Sequence, residues 1–122
     1  MNEDLRAPRL LVDAYGEGGF RVAAERHDGA ILIARARLWR LGDLRLADIG
    51  AATFAPLFEE MPDTSIVLLG TGRGMLPPPA ELRSALKTRG AVLETMATGA
   101  ACRTFNVLSG EGRLVAALLL AV

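Results

Sequence analysis

The chain has little of what most enzyme templates require: among its 122 residues there is one cysteine, Cys102, and one histidine, His27. A single cysteine cannot form an internal disulfide or a zinc cluster, and with one histidine most metal and acid/base constellations go too. Net charge is also lacking. Fourteen basic and fourteen acidic side chains cancel, so the electrostatic footprint of a nucleic-acid binder is absent. There is no long apolar run: the longest, Leu114 to Val122, has nine residues, under half of the roughly 20 needed to span a bilayer. It reads as a buried strand, and no membrane insertion is expected. The opening MNEDLRAPRL carries Glu3 and Asp4 without an apolar stretch, unlike a secretory signal or an acid-poor transit peptide. Lysine is nearly missing, one against 13 arginines, a bias we read as that of a GC-rich bacterial genome. A bacterial cytoplasm is the expected location.

What is present is ample apolar material, 51% of the residues. A chain of this length can bury roughly two thirds of its extended surface, enough for one core without staples. Residues 15–122 are expected to form one domain, with residues 1–14 disordered.

Phe20, Val22 and Ala24 alternate with Arg21, Ala23 and Glu25, the period of a half-buried strand. His27-Asp28-Gly29 then offers turn chemistry before an apolar strand from Ile31 to Ala36, so an N-terminal β-hairpin is predicted. If its second strand ran on to Leu41, Arg35, Arg37 and Trp39 would share a face with Ile31 and Ile33; if it ends near Ala36, these arginines lie along an exposed edge with their stems on apolar surface. With Arg40 they form a candidate partner surface, since an aromatic flanked by arginines suits interface hot spots.

Phe54, Leu57, Phe58 and Met61 recur at helical spacing, with Thr53 as N-cap and Pro56 in a tolerated early position. Ser65 to Leu69 is a buried strand. In the helix expected over 79–89, Pro79 suits the first turn, Glu81 complements the dipole and Gly90 stops it. Ala91 to Met96 is the next strand, Thr98 caps a helix from Gly99 to Ser109, and 113–121 is the last strand. This alternation predicts a compact three-layer α/β domain: a mixed, mostly parallel central sheet, helices on both faces, and the hairpin at an edge or as a separate layer.

Two places could carry chemistry. Strand 65–69 runs into Gly70-Thr71-Gly72-Arg73-Gly74, where open α/β sheets bind ligands. The spacing is not G-x-G-x-x-G, and Pro77, Pro78 and Pro79 remove amide donors at the next helix start, which argues against a nucleotide. There remains a loop open to close backbone approach, with Arg73 as an anion handle, or simply a turn. The second place is the helix after Thr98, on which Gly99, Cys102, Arg103 and Asn106 fall at i, i+3, i+4 and i+7 and could face one cavity. Cys102 has an arginine neighbour but no histidine base, so a buried structural thiol is expected. Arg103 and Asn106 are expected to tie this helix to the glycine loop, with Glu94 as counter-ion to Arg103.

These two segments, LLGTGRGMLPPPAEL and ALKTRGAVLETMATGAACRTFNVLSGEGRLVAALLL, resemble a family of small single-domain α/β proteins that includes the mitochondrial complex I assembly factor 3 and many bacterial members. Leu69-Gly70-Thr71-Gly72, Pro78-Pro79, Arg103-Thr104-Phe105-Asn106 and 111–117 carry the resemblance most specifically. Gly18-Gly19-Phe20 and Trp39 also fit. The resemblance implies a mixed sheet with the last strand paired inside, and no established enzyme activity or cofactor; no metal site is expected. The family often has an aspartate just before the threonine of this helix, where this chain has Met96-Ala97. The expected function is therefore a non-catalytic interaction or assembly-factor-like role, through a protein partner and not nucleic acid. The alternative is a small-molecule binder or unrecognised enzyme using the cavity between the 70–79 loop and the Cys102/Arg103/Asn106 face.

Overall fold

The computed structural model describes residues 9–122. Five short strands open the chain: β1 (Val12–Gly16), β2 (Gly19–Val22), β3 (Glu25–Asp28), β4 (Ala30–Ala34) and β5 (Arg37–Gly42). They are short because tight reversals interrupt them. Glu17 and Gly18 turn β1 into β2 with φ of 52° and 79°, and Ala23 and Ala24 turn β2 into β3 with φ of 53° and 64°. Two-residue hairpin loops take such left-handed pairs because their twist matches that of the strands. Strands β1, β2 and β3 make a small antiparallel sheet. Gly29, at φ 83°, carries the chain from this sheet into the larger one. A Cβ there would stand 2.6 Å from the Gly42 carbonyl oxygen, so only glycine allows this crossing.

Three expectations for this region are corrected. His27 and Asp28 belong to strand β3 rather than to a turn. Strand β4 ends at Ala34, and Arg35, at φ 50°, begins a reversal into an antiparallel β5. Of the segment 1–14, residues 1–8 lie outside the described residues, whereas Val12 and Ala14 pair with β2 in strand β1.

Helix α1 (Ala55–Glu60), β6 (Ile66–Gly70), α2 (Leu82–Thr88), β7 (Val92–Met96), α3 (Thr98–Gly110) and β8 (Val115–Leu119) complete the chain. Pro56 sits in the first turn of α1 as expected. Thr53 instead lies in a preceding 3-10 turn, where its hydroxyl accepts the Gly50 amide at 3.0 Å. Glu81 precedes α2 in a left-handed conformation, φ 70°, rather than occupying its first turn. The larger sheet has the order β5-β4-β8-β6-β7. Strand β8 is parallel to β6 and antiparallel to β4, and β6 is also parallel to β7. With two of its four ladders antiparallel, the sheet is mixed and not mostly parallel. The last strand is inside, as the resemblance implied.

Both faces of this sheet are apolar. Leu32, Val67, Leu69, Leu93, Ala116 and Leu118 pack with Phe54, Leu57 and Phe58 and with Leu82 and Leu86 of α2. The alternate residues Ile31, Ile33, Leu68, Ala117 and Leu119 pack with Ala101, Cys102 and Phe105 of α3 and with Phe20 and Val22 of the small sheet. Period 2 in the strands thus assigns α1 and α2 to one face, and α3 with the small sheet to the other. Covering both faces brings the start of α3 to the carboxyl end of β6, where the glycine loop begins.

The Ala23-Ala24 turn generates a prediction. An L-residue with a Cβ in the left-handed region is strained by about 1–2 kcal/mol. Replacing Ala23-Ala24 with Asn-Gly should therefore stabilise the protein, by about 1 kcal/mol in urea unfolding. An unchanged or lower midpoint would show that the turn carries no such strain.

Candidate functional site

The glycine loop is held from below by threonines. Gly70 ends β6, and a Cβ on it would stand 3.0 Å from both Cα and Oγ1 of Thr98. Glycine lets the start of α3 approach the sheet this closely. The Thr71 hydroxyl donates to the Gly74 carbonyl at 2.7 Å and accepts the Leu76 amide at 3.0 Å, which braces the loop across its base. Gly72, at φ 112°, turns its backbone toward α3. Its amide donates to Thr98 Oγ1 at 2.9 Å, and its carbonyl accepts the Thr98 amide at 2.8 Å. The Thr98 hydroxyl in turn donates to the Leu120 carbonyl at 2.8 Å. Thr98 is fully buried. It is the first residue of α3, with Ala97 at the N-cap position, so its hydroxyl serves the loop and the chain after β8 rather than its own helix.

The expected tie between helix and loop therefore exists, but Thr98 makes it. Asn106 is engaged elsewhere: its Oδ1 accepts the Val12 amide at 2.9 Å and its Nδ2 donates to the Val12 carbonyl at 2.8 Å. One side-chain amide thus pairs with β1 as a neighbouring strand would. Arg103 is exposed, and its Nη1 donates to the Tyr15 hydroxyl at 3.4 Å; among the described residues it has no ion pair with Glu94. Cys102 is 2% exposed. Burial pushes its thiol up to about 11 from 9.0, against a smaller lowering by the Arg103 charge.

The four residues at i, i+3, i+4 and i+7 on α3 consequently do not converge on one cavity. Gly99 and Arg103 line a cleft of about 380 Å³ with Tyr15, Gly72, Arg73 and the first turn of α3; Cys102 and Asn106 are not among its lining residues. Tyr15, the only tyrosine of the chain, was not singled out by sequence reasoning, because β1 fell across the boundary of the segment expected to be disordered. Its ring lies against α3 where a Cβ on Gly99 would stand 2.5 Å from Tyr15 Oη. The pairing of a lone tyrosine with a helix-start glycine has no periodic signature.

The arginine-rich segment is built into the fold. Arg35 is 7% exposed, and its Nη2 donates to Asp63 Oδ1 at 2.6 Å. Arg37 Nη1 donates to both carboxylate oxygens of Glu60, and its guanidinium lies 4.9 Å from the Trp39 ring centroid. Arg40 Nε donates to His27 Nδ1 at 2.8 Å. Trp39 is half-buried against the face shared with α1 and α2. These four residues join β5 to α1, to the loop after it and to β3; Arg37 and Arg40 remain partly exposed at the sheet edge.

The fold and this cleft define a small α/β protein in which a glycine loop is clamped to the first turn of its longest helix. The chain belongs to the family described as a protein of unknown function (DUF498/DUF598), whose model matches residues 12–120. It is 36% identical over 114 residues to an uncharacterized protein of Rhodobacter capsulatus, covering 93% of this chain and 86% of that relative. It is 31% identical over 116 residues to the human NADH dehydrogenase [ubiquinone] 1 alpha subcomplex assembly factor 3, covering 93% of this chain but only 62% of the longer relative. Its fold matches the crystal structure of a protein described as an outer membrane protein from Bartonella henselae, with a TM-score of 0.83, 42% identity and coverage of 95% and 98% of the two chains. No helix among the described residues is long and apolar enough to cross a membrane.

The environment of Cys102 predicts an inert thiol. A pKa of about 11 against 9.0 leaves about a hundredfold less thiolate at neutral pH, before burial slows access further. Modification by a chromogenic disulfide at pH 7.5 should therefore be at least that much slower in the native protein than after denaturation. The raised pKa has a second consequence. The folded state holds the proton more tightly than the unfolded one, so this contribution to stability is complete below pH 9.0 and is lost as the pH rises toward about 11. The stability of wild type relative to Cys102→Ala should fall over that window. Fast native labelling, or a flat difference between the two proteins, would contradict this assignment.

Proposed function

We propose that the chain is a non-catalytic, assembly-factor-like protein that acts by binding a protein partner during the biogenesis of a membrane-associated complex. The observation that carries this reading is its alignment with assembly factor 3 over 93% of its own length. That span contains the clamped glycine loop and α3, so the shared part is the folded domain itself. The side chains that could have served chemistry are engaged in architecture: Cys102 in the core, Asn106 on β1, Thr98 between loop and sheet. Partner binding fits the exposed Met75 and Leu76, which are 61% and 49% solvent-accessible on a loop that Thr71 keeps from collapsing. Exposed neighbouring apolar residues on a braced loop are a common feature of contact surfaces. The partly exposed Arg37, Trp39 and Arg40 edge is the second surface that a partner could take. On this reading the protein works in a bacterial cytoplasm, beside the membrane rather than within it, and needs neither cofactor nor nucleic acid.

The test is genetic and biochemical. In a bacterium that carries both this gene and an NADH:ubiquinone dehydrogenase, deleting the gene should lower the amount of fully assembled enzyme on native gels. A plasmid copy should restore it, and Cys102→Ala should restore it equally well. Full assembly in the deletion strain would refute the reading, and a copy inactivated by Cys102→Ala would replace it with a catalytic one.

A further inference from the structure

We propose that the cleft between the Gly72-Arg73 turn and the start of α3 is a binding site for a small molecule bearing carboxylate or phosphate oxygens, held by Arg73, Arg103 and the Tyr15 hydroxyl. This does not depend on the assembly reading.

The way the chain uses its arginines points there. Most are anchored on a carboxylate, a carbonyl or a ring within the protein, as Arg26, Arg35, Arg37 and Arg83 are on Asp28, Asp63, Glu60 and the Leu93 carbonyl. Arg73 has no acceptor among the described residues, and Arg103 has only the neutral Tyr15 hydroxyl at 3.4 Å. Both line the same cleft, together with Val122 and without an acidic side chain among the described residues. Arg113, which also has no acceptor among the described residues, lies beyond the opposite end of α3. Two guanidinium groups on one cleft attract an anion placed between them. Guanidinium is also the side chain whose planar fork matches carboxylate and phosphate oxygens.

Tyr15 adds direction. Its oxygen accepts from Arg103, which leaves the phenolic proton to donate to a ligand. The glycine at position 99 allows the ring to sit so close to the helix start. Gly99 and Ala100 add a wall from the first turn of α3, where amides lack acceptors within the helix, and Ala97 and Val122 line the rest. A cleft of about 380 Å³ is at the small end of the range for small-molecule sites. It admits an oxyanion with a short body.

The experiment is a titration of the isotopically labelled full chain, followed by NMR at constant ionic strength set with sodium chloride. One arm uses inorganic phosphate and the other succinate, which separates phosphate from dicarboxylate as the source of the oxygens. Saturable shifts centred on Tyr15, Gly99, Ala100 and the side chains of Arg73 and Arg103 are expected with at least one probe. Arg73→Gln and Arg103→Gln should each weaken binding by about tenfold, while Arg113→Gln should leave it unchanged. Both cleft arginines are exposed, so these variants should keep the wild-type spectrum away from the cleft. Shifts that fail to saturate with either probe, or saturable binding equal in the Arg73→Gln, Arg103→Gln and Arg113→Gln proteins, would overturn the proposal.

Discussion

A single hydroxyl, that of Thr98, decides where the parts of this protein meet. It accepts the Gly72 amide and donates to the Leu120 carbonyl, while the Thr98 backbone amide reaches the Gly72 carbonyl. The end of β6, the start of α3 and the chain leaving β8 thereby share one fully buried polar point. Buried hydrogen bonds of this kind add little when made and cost much when half made, because the orphaned partner has no water to turn to. The surrounding glycines follow from this contact. Gly70 has to lack a Cβ for Thr98 to come within reach, and Gly72 has to adopt a left-handed φ to present both its amide and its carbonyl to one residue. The cleft is then a by-product: the loop cannot close over the first turn of α3 because its backbone is already held.

The arginines work on a larger scale. Exposed ion pairs contribute about 0–1 kcal/mol each, so Arg37 on Glu60 or Arg26 on Asp28 does not explain stability. Arg26 and Asp28 both lie in β3, but Arg37 and several other arginines bridge elements. Arg35 reaches the loop after α1, Arg40 joins β5 to β3, and Arg83 covers the Leu93 carbonyl on edge strand β7. An arginine fork is stiffer and more directional than a lysine ammonium, which suits a small fold whose two sheets and three helices must keep a fixed relation. Arg73 and Arg103 stand out against that pattern: among the described residues Arg73 has no acceptor and Arg103 has only the Tyr15 hydroxyl.

The sequence makes the second half of the fold legible and obscures the first. Strands β6 and β8 follow from continuous apolar runs, as strands buried on both faces give, and α2, β7 and α3 follow from the helix stops between them. The small sheet was hidden because its central turn is Ala23-Ala24, which carries no turn residue, while His27-Asp28-Gly29 looks like a turn but supplies a strand and a crossing. In the site, the loop–helix contact was legible from its glycines, but its agent was misassigned. A helical wheel places Asn106 and Arg103 on a plausible face and cannot show that β1 arrives there with an open backbone at Val12 and a tyrosine at position 15. Thr98 looked like a cap because threonine before a helix usually is one. The tertiary structure gives its hydroxyl two partners outside the helix instead.

The central claim is that the Thr98 hydroxyl, and not the threonine's shape, holds loop, helix and sheet together. Urea unfolding of Thr98→Val and Thr98→Ser separates the two. Valine keeps the shape and removes the hydroxyl, and the account predicts a loss of about 1–3 kcal/mol for each partner left unpaired, with NMR shifts at Gly72 and Leu120. Serine keeps the hydroxyl and should retain most of the stability and the wild-type shifts at both positions. If valine were as stable as threonine and serine were the weaker variant, packing rather than the hydrogen bonds would hold the site, and the account would be wrong.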